Sequence, residues 1–368
     1  MNYFIHLLKK SLGTLVLIVI FVSSWACKRP MNADKSVSAF PITIRTGNAK
    51  SISSLSKLFQ GIKFIQLETN DTFLIGRIDK LLFSKNSIFI LDANKARCIF
   101  VYDNQGSALK KYKSVGKGPQ EYIQLYDMSL KSGNDNLLVL ADAQKVIELT
   151  RNLEFVSENR LGFRGYCFAS VNKFNFNFQS ETQTGELIIT DSSFNIEKKN
   201  FILNNFKNAY SGIPFSNFRN RIFFTRFRCD TVFEIEDKSV TPARILELEA
   251  PGSLFRYDES DTLCLIQTNS SMIFYFKNTG SVFEIDKNTI DDYFFLPFRS
   301  MRYLGIHDGK LIASIEPFDV LKNIELIRKS CENSKDLIHN AILKLVDGSS
   351  ASSNPIILLI DIKQPIGL

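Results

Sequence analysis

The residues best placed to do chemistry are Gly116-Lys117-Gly118-Pro119-Gln120-Glu121-Tyr122. Two glycines let a backbone approach a ligand closely, Pro119 stiffens the loop, Glu121 offers a charge and Tyr122 a stacking face. The same residues also satisfy turn chemistry alone. The favoured reading is a structural crossover in which Glu121 accepts backbone hydrogen bonds and Tyr122 packs. The segment lacks the Lys-Ser/Thr ending of a phosphate-binding loop, and no helix pattern follows it. Arg226 and Arg228 alternate on one face of a strand pattern beside Phe224 and Cys229. On an inner strand they would point into a channel and bind an anion; on an outer strand they are simply solvated. Arg299 and Arg302 are a weaker pair of the same kind.

Catalytic constellations are not apparent. His307 and His339 have no Gly-x-Ser-x-Gly elbow near them, so no Ser-His-Asp set is assigned. A calcium site needs six or more oxygens converging from several segments. Asp92, Asp142, Asp230 and Asp286 lie near strand ends and are the residues to consider. Asp92 and Asp142 recur at a fixed interval, which favours strand termination by turn hydrogen bonds over catalysis. Asp291-Asp292 reads as a turn. No cofactor and no metal ligand is assigned, with calcium left open. None of the six cysteines forms Cys-x-x-Cys or a zinc spacing. The simplest reading is buried thiols acting as small hydrophobes.

The elements that position these residues begin after an export signal. Lys9 and Lys10 precede the apolar run Leu12 to Ala26, which is short for a membrane span. Small residues (Ser23, Ser24, Ala26) lead to Cys27. This looks like a bacterial lipoprotein signal over residues 1–26, with Cys27 lipidated as the mature N-terminus. Trp25 and Ser24 depart from the usual pattern, and an ordinary secretory signal is the alternative. Residues 27–40 read as a tether, with Pro30, Asn32, Asp34 and serines. The whole chain carries a net charge of +7 with its basic residues scattered, which argues against nucleic acid.

From residue 41 the pattern is all strand. Thirty-two phenylalanines suit it. Ile88-Phe89-Ile90-Leu91-Asp92 recurs as Leu137-Leu138-Val139-Leu140-Ala141-Asp142, and Thr231 to Glu236 is echoed by Ser281 to Asp286. Asp103-Asn104-Gln105-Gly106 marks a hairpin, with the next strand from Ala108. A period of about fifty residues with several short strands in each is the mark of propeller blades, and the length gives about six. The expected architecture is an all-β, six-bladed propeller over residues 41–368, with a helical insertion at about 319–346 and a cap at Ser334. Ring closure should join an early strand, near Ile42 to Arg45 or Ile62 to Leu67, to strands from 306–362.

Specific marks then accumulate. They are Phe64-Ile65-Gln66-Leu67-Glu68-Thr69, Leu74-Ile75-Gly76-Arg77-Ile78, Ile90-Leu91-Asp92, Val101-Tyr102-Asp103 with Gly106, the loop from Gly116 to Tyr122, Asp230-Thr231-Val232-Phe233 with Val240-Thr241-Pro242, and Asn354-Pro355. Together they resemble the six-bladed, NHL-like β-propeller lipoproteins of Bacteroidota, over residues 60–362. The loop looks like that family's Gly-x-Gly-Pro-Gly-Glu-Tyr motif, carried here by Gly116, Gly118, Pro119, Glu121 and Tyr122. Gln120 replaces its usual glycine, and Ser352-Ser353 replace an acidic pair. The resemblance implies the fold and no particular activity.

The expected function is a non-catalytic binding propeller in the cell envelope, with Glu121, Tyr122, Arg226 and Arg228 as candidate ligand contacts on its top face or channel. Its partner would be a glycan, a peptide or an envelope protein, with the outer membrane engaged through the N-terminal lipid. The alternatives are a metal-dependent hydrolase or lyase at the axis, and a structural subunit of an envelope complex. Surface-displayed lipoproteins of Bacteroidota usually carry acidic residues soon after the cysteine, so by that resemblance the basic Lys28 and Arg29 favour the periplasmic face.

Overall fold

The structure, a computed structural model, describes residues 41–172, 174–181, 184–204, 214–219, 221–225, 230–249, 254–332 and 337–365. Cys27 and Ser334, expected as the lipidation site and a helix cap, lie outside these residues. So do Arg226, Arg228 and Cys229.

Three strands open the described chain: β1 (Ile42–Arg45), β2 (Lys50–Ser51) and β3 (Phe59–Gln66). Blade 1 follows as β4 (Lys80–Ser84), β5 (Ser87–Asp92), β6 (Cys98–Asp103) and β7 (Ala108–Tyr112). Blade 2 is β8 (Leu125–Leu130), β9 (Leu137–Ala141), β10 (Lys145–Leu149) and β11 (Phe155–Arg160). Blade 3 is β12 (Cys167–Val171), β13 (Phe174–Glu181), β14 (Thr184–Thr190) and β15 (Ile196–Asn204). Blade 4 is β16 (Phe215–Phe218), β17 (Arg221–Phe224), β18 (Thr231–Glu236) and β19 (Ser239–Glu247). Blade 5 is β20 (Leu254–Glu259), β21 (Leu263–Thr268), β22 (Ser271–Phe276) and β23 (Ser281–Asp286). Blade 6 takes β24 (Arg302–His307), β25 (Lys310–Ile315) and β26 (Ile356–Ile362) from the end of the chain and β3 from its start. The fold is a six-bladed β-propeller.

Blades pack face to face, so the second strand of a blade is covered on both sides. That is why β5, β9 and β21 read as unbroken apolar runs and not as alternation. Phe89, Leu91, Ile99 and Val101 of blade 1 meet Met128, Val139 and Ile147 of blade 2 in one such layer. The outermost strand of blade 1, β7, is exposed at its centre, at Leu109, Lys110 and Lys111.

Closure is made by β3, which pairs antiparallel with β26 from Gln66↔Ile356 to Phe59↔Ile362. Of the two candidate closing strands, the later one does this work. The earlier one, β1, lies parallel to β19 on the outer edge of blade 4, with Ile42 against Arg244. β2 lies likewise beside β23 of blade 5. Residues 42–66 thus cross the outer edges of blades 4, 5 and 6 in turn.

The connection between β25 and β26 carries α1 (Pro317–Lys322), α2 (Ile324–Glu332) and α3 (Leu337–Asp347). Ile327, Cys331, Ile338, Ile342, Leu345 and Val346 recur at helical spacing and join the core of blades 5 and 6. Among the described residues no helix is long and apolar enough to cross a membrane.

Candidate functional site

Each innermost strand starts on the same face of the ring, here the entry face, and the loop from Gly116 to Tyr122 lies there between β7 and β8. The loop closes on itself. Gly116 N–H donates to Tyr122 O at 3.0 Å and Tyr122 N–H to Ser114 O at 2.9 Å. Glu121 Oε2 accepts the Gly118 N–H at 2.7 Å. A Cβ on Gly116 would sit 2.1 Å from that oxygen, so the turned-in carboxylate requires glycine there. Gln120 adopts φ 63°. This costs about 1–2 kcal/mol for a residue with a Cβ, and it is held by its N–H to Glu158 Oε2 at 3.0 Å and by the Tyr112 hydroxyl on its carbonyl. Tyr122 is 0 % exposed. Its hydroxyl donates to Arg97 O at 2.8 Å and its ring packs on Tyr112 at 5.7 Å. The stacking face expected of Tyr122 is therefore spent inside the fold, and this residue is corrected from ligand contact to packing residue.

Asp92 and Asp142 end the second strands of blades 1 and 2 and hold the segments that enter them. Asp92 accepts N–H groups from Gly76, Arg77, Lys95 and Ala96 at 2.7–3.0 Å. Asp142 accepts those of Ile123 and Gln124, both at 2.9 Å. Asp291 accepts three, from Tyr293, Phe294 and Leu296. Burial nevertheless raises its carboxyl to about 6. Asp230 and Asp286 serve their own turns. Among the described residues no three His, Cys, Asp or Glu side chains gather as a metal site would require. Cys98, Cys167, Cys264 and Cys331 are free thiols. Burial pushes Cys98 up to about 12, which leaves it an inert hydrophobe.

Charged groups around the axis tie blade to blade. Asp127 takes Lys80 Nζ of blade 1 at 2.7 Å and the Phe168 N–H of blade 3 at 2.8 Å. Asp258 of blade 5 receives Arg256 Nε at 2.5 Å and the Tyr303 hydroxyl of blade 6 at 2.8 Å. Arg256 also lies over the Tyr303 ring, 4.9 Å from its centroid. Arg302 of blade 6 and Arg77 share Asp79, at 3.8 and 2.8 Å. Arg299 faces solvent and donates to Asn288 Oδ1.

A cleft of about 220 Å³ opens on the opposite face, between blades 3 and 4. Asn172, Arg219, Arg221, Glu236 and Asp237 make its lining largely polar, and the buried Val171, Phe176 and Ile235 add a small apolar base. The two arginines are held in place. Both guanidinium carbons lie over the Phe218 ring, at 5.4 and 5.8 Å. Arg219 pairs with Asp261 at 2.5 Å and Arg221 with Glu234 at 3.1 Å. Nothing in the sequence motifs pointed to these residues. The charged ones all belong to blade 4, in its β16–β17 and β18–β19 turns and the strand ends beside them, and blade 3 adds Val171, Asn172 and Phe176.

Comparison with known families decides the affiliation. A family model described as "Domain of unknown function (DUF4934)" matches residues 40–361. The chain belongs to the DUF4934 family. Among solved structures, this DUF4934 chain is similar to a protein of Bacteroides fragilis described as exported, with TM-score 0.69 and 16% identity over 88% of this chain and 100% of that one. That likeness shows the fold. BamB from Moraxella catarrhalis (TM-score 0.43, 9% identity, 71% of this chain and 86% of that one) and a virginiamycin B lyase from Staphylococcus aureus (TM-score 0.43, 15% identity, 69% and 82%) are too distant to carry an argument. No curated protein matches the chain.

Proposed function

We propose that this DUF4934 chain is an exported, lipid-anchored propeller that binds a small polar ligand in the cleft between blades 3 and 4 and releases it unchanged. The observation that carries this reading is the cleft itself: a largely polar space of about 220 Å³ walled by planar cations that ion pairs and the Phe218 ring hold in place. The charged groups at the entry face and axis support it from the other side, because they are engaged in ties between blades. The buried carboxyls Asp291, raised by burial, and Glu259, lowered by its bonds to Lys277, Tyr257 and Arg244, lie away from the cleft. Export and anchoring rest on the apolar run ending at Cys27 and on the exported description of the Bacteroides fragilis relative. Anchoring in the outer membrane rests on the resemblance to the propeller lipoproteins of Bacteroidota, and the basic Lys28 and Arg29 behind that cysteine support the periplasmic face over surface display.

The test is a melting-temperature screen of the purified chain against small polar compounds. A ligand that binds only the folded chain at 100 times its Kd adds about 2.7 kcal/mol. The expected hit raises the melting temperature of the wild type and of Arg77→Ala, on the entry face, but not of Arg219→Ala. A hit lost in Arg77→Ala and kept in Arg219→Ala would move the site to the axis. Chemical conversion of the hit during incubation would make the protein an enzyme.

A further inference from the structure

The two faces of the ring differ in what their connections expose. Antiparallel pairing returns each second strand to the entry face, so the β5–β6 turn (93–97) and the helical connection after β25 lie there with the blade-to-blade connections. Leu74, Val115, Ile123, Ile290, Phe318 and Leu326 are exposed, and all six belong to these entry-face connections. The other large apolar residues exposed among the described ones, such as Leu109, Phe155 and Ile196, stand in outermost strands. The described turns of the opposite face, such as 131–136 after β8 and 150–154 after β10, expose none.

Around blades 1 and 2 this face is also basic. Lys95 and Arg97 of the β5–β6 turn and Lys113 and Lys117 of the β7–β8 connection are exposed, and none has a carboxylate partner among the described residues, which include every residue of these connections. They are interleaved with the apolar side chains. Val115 pairs with Tyr122, next to Ile123, and the Tyr122 hydroxyl reaches Arg97 O at 2.8 Å. Gly76, two residues after Leu74, lies so close to Lys95 that a Cβ there would sit 2.5 Å from the Lys95 Cβ. The acids nearby are engaged: Glu121 with the Gly118 N–H, Asp142 with those of Ile123 and Gln124, and Asp79 with Arg77. Asp71 is the exposed exception. We propose that the entry face of blades 1 and 2 docks on a membrane surface carrying acidic phospholipid. The free cations would meet the lipid phosphates, and Leu74, Val115 and Ile123 would enter the headgroup boundary. Single exposed lysines are ordinary; unpaired cations set among exposed aliphatic loop residues are what an interfacial surface needs. Protein interfaces are depleted of lysine, which places a partner protein behind a bilayer as the occupant. The contact goes beyond the N-terminal anchor, because it fixes which face of the ring meets the membrane. The opposite face, with the cleft between blades 3 and 4, would then point away from it.

The experiment is amide hydrogen exchange of the full chain with two kinds of vesicle, phosphatidylcholine alone and an equal mixture of phosphatidylcholine and phosphatidylglycerol. The inference predicts exchange in residues 93–97 and 113–124 slowed by about threefold or more on the mixed vesicles relative to phosphatidylcholine, with 131–136 and 150–154 the same on both. Raising NaCl to 0.5 M shortens the screening length to roughly 4 Å and should erase most of that slowing. The paired variant Lys113→Glu/Lys117→Glu should abolish it and keep the wild-type melting temperature, since both side chains are exposed. Ile123→Ser should weaken it at low salt, an effect that charge alone would not give. Equal exchange on the two vesicles would overturn the inference, as would slowing that survives the charge reversal. Slowing that needs no vesicle and grows with chain concentration would overturn it too, and would make a second copy the occupant. Sedimentation with phosphatidylcholine alone reads the N-terminal anchor separately. A chain that fails to sediment there and still shows the slowing on mixed vesicles would lose the anchor and keep the docking face.

Discussion

Asp92 shows how much one side chain can organise. Its two oxygens take four backbone N–H groups, from the segment entering blade 1 and from the turn after β5. Replacing it with alanine removes the acceptor of four part-buried donors. Asp92→Ala should cost roughly 3 kcal/mol, read as a shift of the urea midpoint at unchanged slope. His307 is a second test. Its ring stacks on Phe83 at 4.5 Å, joining blades 6 and 1. Burial lowers its pKa from 6.5, and Asp308 opposes that only in part. The unfolded chain therefore takes up the proton first, and stability is lost as pH falls below about 6.5. Asp291 acts in the opposite sense. The folded carboxyl titrates near 6 and the unfolded one near 3.8, so the folded chain gains stability as pH falls through that window. The difference between wild type and His307→Phe isolates the histidine: the variant should lose less melting temperature between pH 7 and pH 5.5. Equal losses would remove His307 from the account. At this scale the sequence was legible wherever a residue acts on its neighbours in the chain. The roles of Asp92, Asp142 and Asp291 follow from their place at turns. Tyr122 misled in part, because a stacking face and a packing face are the same residue type until burial is known.

At the scale of elements, the segment before β3 is unusual in adding parallel strands to blades that already have four. Ile44 and Ile52 are buried by it, and Arg45 reaches Glu247 at 2.9 Å. β1 and β2 cover the outer edges of blades 4 and 5, which would otherwise present unpaired backbone. Blade 1 instead protects its edge with Lys110 and Lys111. Removing residues 41–51 should lower the melting temperature by about 5 °C with the β signal in circular dichroism kept. No change would mean the strands merely rest on the blades. The alternation in Ile42 to Arg45 identified a strand but not its partner, since a parallel edge pairing leaves no turn signal. Asn354 was a better guide. It sits at the start of β26 and fixes the closing connection, accepting from Ile75 N–H at 2.8 Å and donating to Glu68 O and Phe73 O.

The whole molecule was legible through its period. Fifty residues between matching phrases fixes the blade, and the blade count follows from length. What was not legible is any feature made by two blades at once. The axial ties of Asp127 and Asp258 join neighbouring blades, and the cleft sets Val171, Asn172 and Phe176 of blade 3 beside the Arg219, Arg221, Glu236 and Asp237 turns of blade 4. The site proposed here is therefore a property of the ring. The most direct test of that claim is amide hydrogen exchange of the full chain with and without a saturating small polar compound that raises its melting temperature. The account predicts added protection at residues 171–172, 221–223 and 235–239, with residues 114–122 unchanged. Protection centred on 114–122 or 75–80, with the cleft unaffected, would contradict it and return the ligand to the entry face.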